Sequence, residues 1–235
     1  MTKDRDLIEL GNVAYQAGSP INALYIVDWA GVNPDTGFNQ YRDPDGNLID
    51  FDGNEDDIRA LREVSDKTSI PTYHGGVTNA FTFKNFDASF LVSFSGGNYV
   101  VNSGLHSLYN NVGLNQHIDV LNAWQNPGDQ TNIAVRAVNS RRPRGSLTSD
   151  FQQSTQFLQD ASYVKLKNIV IGYTLNETLS KKIGIERLRI FAQAQNIITI
   201  TDVDYADPEF ANAFGGVGLS APINTGFSLG INANF

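Results

Sequence analysis

The chain ends on the stretch T-G-F-S-L-G-I-N-A-N-F, which spans Thr225 to Phe235. Side chains alternate between the two faces of a strand, so this segment has one apolar face and one small, polar face. A strand of about 9–11 residues with this alternation can cross a bilayer as part of a closed barrel. An ordinary edge strand of a soluble sheet can carry the same pattern. The apolar positions are Phe227, Leu229, Ile231, Ala233 and Phe235.

Composition excludes several classes of function. The net charge of -8 and pI near 4.8 argue against a nucleic-acid partner, because neutralising phosphates requires a basic surface. The chain has no Cys, which excludes disulfides and thiolate metal sites. Its mean hydropathy of -0.25 fits the absence of any stretch near the ~18 apolar residues of a membrane helix. Barrel strands escape that criterion because they alternate.

The alternation recurs along the chain and predicts an all-β fold. A two-residue polar link, Lys84-Asn85, joins two of the alternating segments and predicts a hairpin. The connections are either short or long, as in outer-membrane barrels with short periplasmic turns and long external loops. Predicted strands span about 9–16, 20–30, 72–84, 86–96, 161–175, 186–200 and 225–235, and the predicted loops are 31–70, 97–160 and 201–224.

The strand over 186–200 has a polar face that suits water better than a dry core. Its apolar face carries Leu188, Ile190, Ala192 and Ala194. Charged and amide side chains on the other face would be costly to bury in a sandwich but are tolerated in a water-filled lumen. The predicted lumen-facing residues are Arg187, Arg189, Gln193 and Gln195. In the loop before these strands, 114–125 has helical spacing and predicts one amphipathic helix.

Two stretches resemble the C-terminal end of SusC/RagA-type TonB-linked outer-membrane receptors. They are D-A-S-Y-V-K-L-K-N-I-V-I-G-Y-T-L (160–175) and L-R-I-F-A-Q-A-Q-N-I-I-T-I-T (188–201), followed by Asp207-Pro208-Glu209 and a terminal Phe. P-I-N-A-L-Y-I-V-D-W-A-G-V (20–32) and A-W-Q-N-P-G (123–128) resemble upstream family segments more loosely. The resemblance therefore runs from about residue 20 to the end.

The resemblance implies a partial antiparallel transmembrane β-barrel, the C-terminal strands of a closed barrel of about 22 strands, with long extracellular loops. It implies outer-membrane import of oligosaccharides or peptides in a Gram-negative bacterium, without catalysis. The implied partners are a SusD-like surface lipoprotein, outer-membrane lipid, TonB acting through a plug domain, and the rest of the receptor. No segment here resembles the plug, and the first eleven residues lack the apolar region of a secretory signal. The chain is therefore interpreted as a C-terminal piece of a receptor, and its terminal apolar residues as the barrel-assembly signal.

Catalytic and metal sites have little support in the sequence. His74, His106 and His117 are scattered and form no i, i+4 pair, so zinc or triad chemistry is not predicted. The acidic stretch around 43–55 alternates oxygen ligands as a Ca²⁺ loop does, but it lacks the EF-hand register. A solvated acidic turn is the simpler interpretation, and no other cofactor is predicted. The candidate Ca²⁺ ligands are Asp43, Asp45, Asn47 and Asp50.

A second hypothesis from a different class is a soluble β-sandwich that binds carbohydrate. Trp124 and tyrosines of the loops would then serve as stacking platforms for sugar rings. The aromatic residues near strand ends fit either hypothesis, as a membrane-interface girdle or as sandwich core. The genome separates the two hypotheses: an open reading frame just upstream that encodes a signal peptide and a plug would favour the receptor piece, and a complete independent gene would favour the sandwich.

Overall fold

The structure is a computed structural model that describes residues 7–51, 54–110, 115–136 and 151–235. The chain divides into two compact units, each built from three segments. We call one the sheet unit; it comprises Pro71–Gly97, Ser162–Asp202 and Pro222–Phe235. The other, which we call the insert unit, comprises Met1–Ile70, Asn98–Ala161 and Val203–Ala221.

The strands of the insert unit are short, and those of the sheet unit are long. The helices are α1 (Glu55–Arg59), α2 (Ser103–Asn110) and α3 (Glu177–Lys182), and none of the described helices is long and apolar enough to cross a membrane. The strands in chain order are β1 (Ile8–Leu10), β2 (Val13–Tyr15), β3 (Ala23–Ile26), β4 (Asp28–Val32), β5 (Asn39–Arg42), β6 (Leu48–Asp50), β7 (Glu63–Thr68), β8 (Tyr73–Phe83), β9 (Phe86–Gly96), β10 (Tyr99–Asn102), β11 (Leu158–Asp160), β12 (Tyr163–Thr174), β13 (Arg187–Thr201), β14 (Gly216–Val217) and β15 (Gly226–Asn234).

The sheet unit is one antiparallel sheet with the strand order β15-β13-β12-β9-β8. All five strands are nine to fifteen residues long, as a tilted membrane-spanning strand requires. Within the described residues, β8 and β15 each pair on one side only. The backbone N–H and C=O groups on their outer edges are therefore free to pair with further strands. In lipid these groups must be paired, because no water is present to bond them.

The short and long connections of this sheet lie at opposite ends. At one end Lys84 and Asn85 form the predicted two-residue turn, in which Lys84 has a φ of 54°. The link from β12 to β13 at the same end contains only α3, which Asn176 caps by accepting a hydrogen bond from the Thr178 N–H. Every connection to the insert unit leaves from the other end of the strands. This is the asymmetry that the loop lengths predicted.

A bulge crosses the middle of the sheet and changes the alternation. Lys167 of β12 has no partner residue on β9, where Val92 and Leu91 are consecutive. On β13 two residues, Asn196 and Ile197, lie opposite it. Asn196 takes a φ of 52°, a left-handed conformation that Asn tolerates better than most residues. As a result Leu166 and Ile169, which differ by an odd number, lie on the same face. The bulge thus keeps the apolar residues before and after it on the same face of the sheet.

The insert unit contains three small sheets, with strand orders β1-β2-β3-β7, β4-β5-β6 and β11-β10-β14. One core cluster packs Val13, Leu24, Val101 and Phe157. A second surrounds Tyr41, whose ring stands edge-on to those of two phenylalanines. The Arg62 side chain is only 7% exposed; it donates to Glu9 and Gln153 and lies over a tyrosine ring. These clusters give the unit its own core.

Two predicted barrel strands are corrected by the structure. The segment 9–16 forms parts of two strands, because Gly11, at a φ of 66°, turns the chain back between β1 and β2. The segment 20–30 is divided between β3 and β4, which belong to different sheets, and Val27 between them bridges to Ser154. Neither segment is in the five-stranded sheet. The predicted loops 31–70, 97–160 and 201–224 also contain strands and helical turns.

The predicted helix over 114–125 is wrong for most of its length. Only Ile118–Asn122 is helical, as a 3-10 turn, and Leu114 lies outside the described residues. His117 and Ala123 on either side have extended backbones. The helix ends there because the Trp124 N–H donates to the carbonyl of Ile133 instead of continuing the turn. Tertiary pairing outcompetes the local helical spacing.

Candidate functional site

One face of the five-stranded sheet is mostly apolar, with Asn79 of β8 as a polar exception. The register places Ile171 beside Ala88 and Ala192, and Ala192 beside Leu229. The alternation along each strand puts the remaining apolar side chains in the same layer. This apolar face includes Val77, Phe81, Phe90, Val92, Val164, Leu166, Ile169, Ile171, Ile190, Ile198, Ile200, Phe227, Leu229 and Ile231.

The terminal strand β15 exposes this face most strongly. Phe227, Leu229 and Ile231 are 79%, 86% and 67% exposed, and Phe235 is 90% exposed. Ala233 is exposed as well. Soluble proteins rarely leave so large an apolar patch uncovered. Four of the five residues predicted as an assembly signal therefore form an exposed row on an edge strand, and the fifth, Phe235, directly follows it.

The opposite face is mostly polar and contains all four residues predicted to face a lumen, although Leu91, Val170 and Phe191 also lie on it. Arg187, Arg189, Gln193 and Gln195 alternate with the apolar residues of β13. The Gln193 side chain donates to Asn168 of β12 at 2.9 Å. Neighbouring strands add polar or small residues to this face, among them Asp87, Ser89, Ser93, Thr174, Ser228, Asn232 and Asn234.

An ion pair spans three strands on the polar face. Arg189 on β13 donates to both carboxylate oxygens of Asp87 on β9, at 2.9 and 2.5 Å, although β12 lies between these strands. The pair passes over Gly172 of β12. A Cβ at Gly172 would lie 2.4 Å from Nη2 of Arg189 and 2.6 Å from Oδ1 of Asp87. Only a glycine leaves room for this bidentate contact.

We expect Gly172→Ala to separate Asp87 from Arg189 and to lower the stability of the sheet unit by about 1 kcal/mol, the scale of a partly exposed charged pair. The added methyl group would occupy the space that the guanidinium now fills. The matched control is Gly226→Ala on β15, where a Cβ would meet no atom nearer than 4.0 Å. The stability of both variants is measured as the temperature at which the chain, in detergent, loses the gel mobility of its compact form. Equal midpoints would contradict the role assigned to Gly172.

The acidic hairpin of the insert unit keeps its candidate Ca²⁺ ligands apart. Asp43 accepts from the backbone and side-chain nitrogens of Asn47 at the turn, and the side-chain bond lowers the pKa of Asp43. Asp50 lies opposite Gln40, away from the turn, and accepts from Gln40 and Asn33. No group of three His, Asp or Glu side chains in the described residues is placed to hold a metal. This geometry gives the Ca²⁺ hypothesis no support.

His117 has polar neighbours that the spacing of the histidines in the sequence did not predict. Its Nδ1 lies 3.2 Å from a carboxylate oxygen of Asp119, and its Nε2 bonds the hydroxyl of Tyr205. Tyr109 donates to the same carboxylate at 3.1 Å, and burial together with this carboxylate raises its pKa. The signal was available, because Asp119 follows His117 by two residues. His74 is on β8 in the sheet unit, and His106 is on α2 in the insert unit.

The remaining sequence features are a basic cluster and Trp124. The basic cluster Arg141-Arg142-Pro143-Arg144 lies outside the described residues. Trp124 is held in place by its own unit: its Nε1 donates to the carbonyl of Pro34 at 2.7 Å, and its ring lies against Gly37. A Cβ at Gly37 would come within 2.4 Å of that ring. Trp124 therefore stabilises the insert unit through one ring face.

No protein-family model matches the chain. TonB-dependent receptor P3 of Formosa agariphila is 34% identical over 169 residues, which are 71% of this chain and 16% of that receptor. TonB-dependent receptor P39 of the same organism is 28% identical over 203 residues, 81% of this chain and 19% of that receptor. This chain belongs to the TonB-dependent receptors. The TonB-dependent receptor chain thus spans less than a fifth of the curated relatives it matches.

Solved structures agree on the fold of this TonB-dependent receptor chain. The RagAB peptide transporter matches with a TM-score of 0.80 and 23% identity, over 100% of this chain and 25% of the other. The RagAB peptide importer in its open-open state matches with a TM-score of 0.78 and 22% identity over the same shares. The predicted fold class, part of an antiparallel receptor barrel, is confirmed by these matches. The alternative of a soluble sandwich requires a covered apolar face, whereas Leu229 is 86% exposed.

Proposed function

We propose that this chain forms part of the barrel wall of a TonB-dependent importer in the outer membrane of a Gram-negative bacterium. The observation that carries the proposal is the five-stranded sheet, which exposes an apolar face and has a polar opposite face. In a barrel the apolar face contacts lipid, and the polar face with Arg187, Arg189, Gln193 and Gln195 lines the lumen. The chain contributes wall and loops, and no catalysis.

The long connections would lie outside the cell and the short ones in the periplasm, as is usual for such barrels. On this assignment the insert unit is extracellular and the turn at Lys84-Asn85 is periplasmic. The related RagAB structures are described as a peptide importer. We propose uptake of peptides or oligosaccharides, with a surface lipoprotein of the SusD type as partner and TonB acting through the plug of the whole receptor.

The first test of this proposal is the behaviour of the chain in detergent. A barrel segment should partition into detergent micelles and migrate differently on a gel with and without heating. A chain that is monomeric and stable without detergent would overturn the proposal. The chain is expected to need detergent because β8 and β15 have open edges, whose backbone groups need a partner strand.

A matched pair of substitutions tests which face contacts lipid. Leu229 and Ser228 are neighbours on β15 and lie on opposite faces. We expect Leu229→Arg to destabilise the membrane-inserted receptor by about 2–4 kcal/mol, the cost of Arg on the lipid side near the bilayer centre. Ser228→Arg, facing water, should cost far less. Urea unfolding of the receptor in lipid vesicles measures both, and an equal cost would contradict the face assignment.

A further inference from the structure

The end of the sheet that carries the short connections contains a cleft of about 730 Å³, which we call the end cleft. It lies entirely within the sheet unit, between the turn at Lys84-Asn85 and the start of α3. Hydroxyl and amide groups supply much of its lining, among them Thr82, Thr174 and Asn176. Such groups can both donate and accept hydrogen bonds.

The charges that line the end cleft do not balance. Asp87 is engaged by Arg189 through both oxygens, and Glu177 is paired with Lys181 at 3.4 Å. Arg187 and Lys84 also line the cleft, and neither forms an ion pair with a carboxylate of the described residues, although Arg187 lies close enough to Asp87 for their charges to attract each other. Both side chains are exposed. The cleft therefore offers positive charge to a ligand, although the chain as a whole carries a net charge of -8.

We propose that the end cleft binds an acidic peptide segment, with Arg187 as the main contact for its carboxylate groups. The planar guanidinium can take a carboxylate in a bidentate manner, and the surrounding hydroxyl and amide groups can bond a peptide backbone. The inference rests on the proposed function in one respect. The cleft is lined by residues of the polar face, such as Asp87 and Arg189. If the apolar face contacts lipid, the lipid phosphates lie on the other side of the sheet, and the ligand reaches the cleft through the lumen.

The test uses the full chain folded in detergent and a fluorescent oligoglutamate peptide at low ionic strength. Fluorescence anisotropy gives the affinity. We expect Arg187→Gln to weaken binding about tenfold, as the loss of one charge-assisted contact does. Lys84→Asn should also weaken binding, and Asn suits the left-handed φ of 54° at this position. Heat-dependent gel mobility shows that each variant remains folded.

The matched control is Lys182→Gln, which removes one exposed positive charge from α3 outside the cleft. It should leave the affinity nearly unchanged. An equal loss for Arg187→Gln and Lys182→Gln would mean nonspecific attraction and would overturn the proposal. Displacement of the peptide by inorganic phosphate, at concentrations where free glutamate has no effect, would assign the cleft to a phosphate ligand and overturn it as well.

The same samples separate this proposal from the proposed function. A chain that partitions into detergent and shows heat-dependent mobility, but does not bind the peptide, would overturn the end cleft alone. A chain that stays soluble and folded without detergent would overturn the barrel proposal whatever its affinity for the peptide.

Discussion

Deleting Phe235 from the full-length receptor is expected to lower its abundance in the outer membrane several-fold, because failed assembly exposes the receptor to degradation. Phe235 directly follows the edge strand β15, whose apolar row is exposed and whose open edge can pair with another strand before a barrel closes. We propose that this row is the signal for barrel assembly. Immunoblots of purified outer membranes measure the amount of receptor.

The controls for this deletion lie on the other face of the same strand. Ser228→Thr and Asn232→Thr change the polar face, opposite Gln193 and Arg189, and should leave abundance nearly unchanged. If these substitutions lower abundance as much as the deletion does, the apolar row is not the signal. Equal effects would also remove the argument that β15 closes the barrel with that face toward lipid.

Replacing Tyr41 by Ala should destabilise the insert unit by about 3–5 kcal/mol, the cost of removing a large side chain from a core. Tyr41 is fully buried, its ring packs edge-on against Phe51 and Phe151 at 6.4 and 6.5 Å, and its hydroxyl accepts from the Phe151 N–H at 2.9 Å. Limited proteolysis over a temperature series measures when the insert unit opens, and the fragments identify the unit that was cut.

Two further variants make this prediction specific. Tyr41→Phe keeps the ring but removes the acceptor for a buried N–H, so it should cost about 1–3 kcal/mol. Ile118→Ala changes an apolar residue that is 71% exposed and should stay within about 0.5 kcal/mol of the unchanged chain. If Tyr41→Ala and Ile118→Ala opened the insert unit at the same temperature, the core around Tyr41 would not stabilise it.

The five long strands could be predicted because each carries its own evidence. Phe86 to Ser95 and Phe227 to Phe235 alternate without interruption, and Lys84-Asn85 marks a turn by local composition alone. The observed bounds differ from the predicted ones by about two residues at most, as the fraying of strand ends allows. Alternation and turn composition are local properties, and these strands depend on little else.

The other features depend on partners that are distant in the sequence. The sequence of β3 and β4 forms one continuous alternating run, but the two strands pair in different sheets and are separated at Val27, which bridges to Ser154. The pairing of Asp87 with Arg189 needs the register of three strands. One local signal for that site existed, because Gly172 lies inside a long strand and such a glycine often marks a close approach.

The separation of short and long connections has an entropic consequence. Pairing β8 with β9 closes a loop of two residues, Lys84 and Asn85, whereas pairing β9 with β12 closes the whole segment 97–162. Loop-closure entropy grows only with the logarithm of length, so this longer closure costs about 3 kcal/mol more. The insert unit recovers that cost through its own core around Tyr41 and Val101. A sheet of this kind can therefore carry large connections at one end while its register is set by the tight turns at the other.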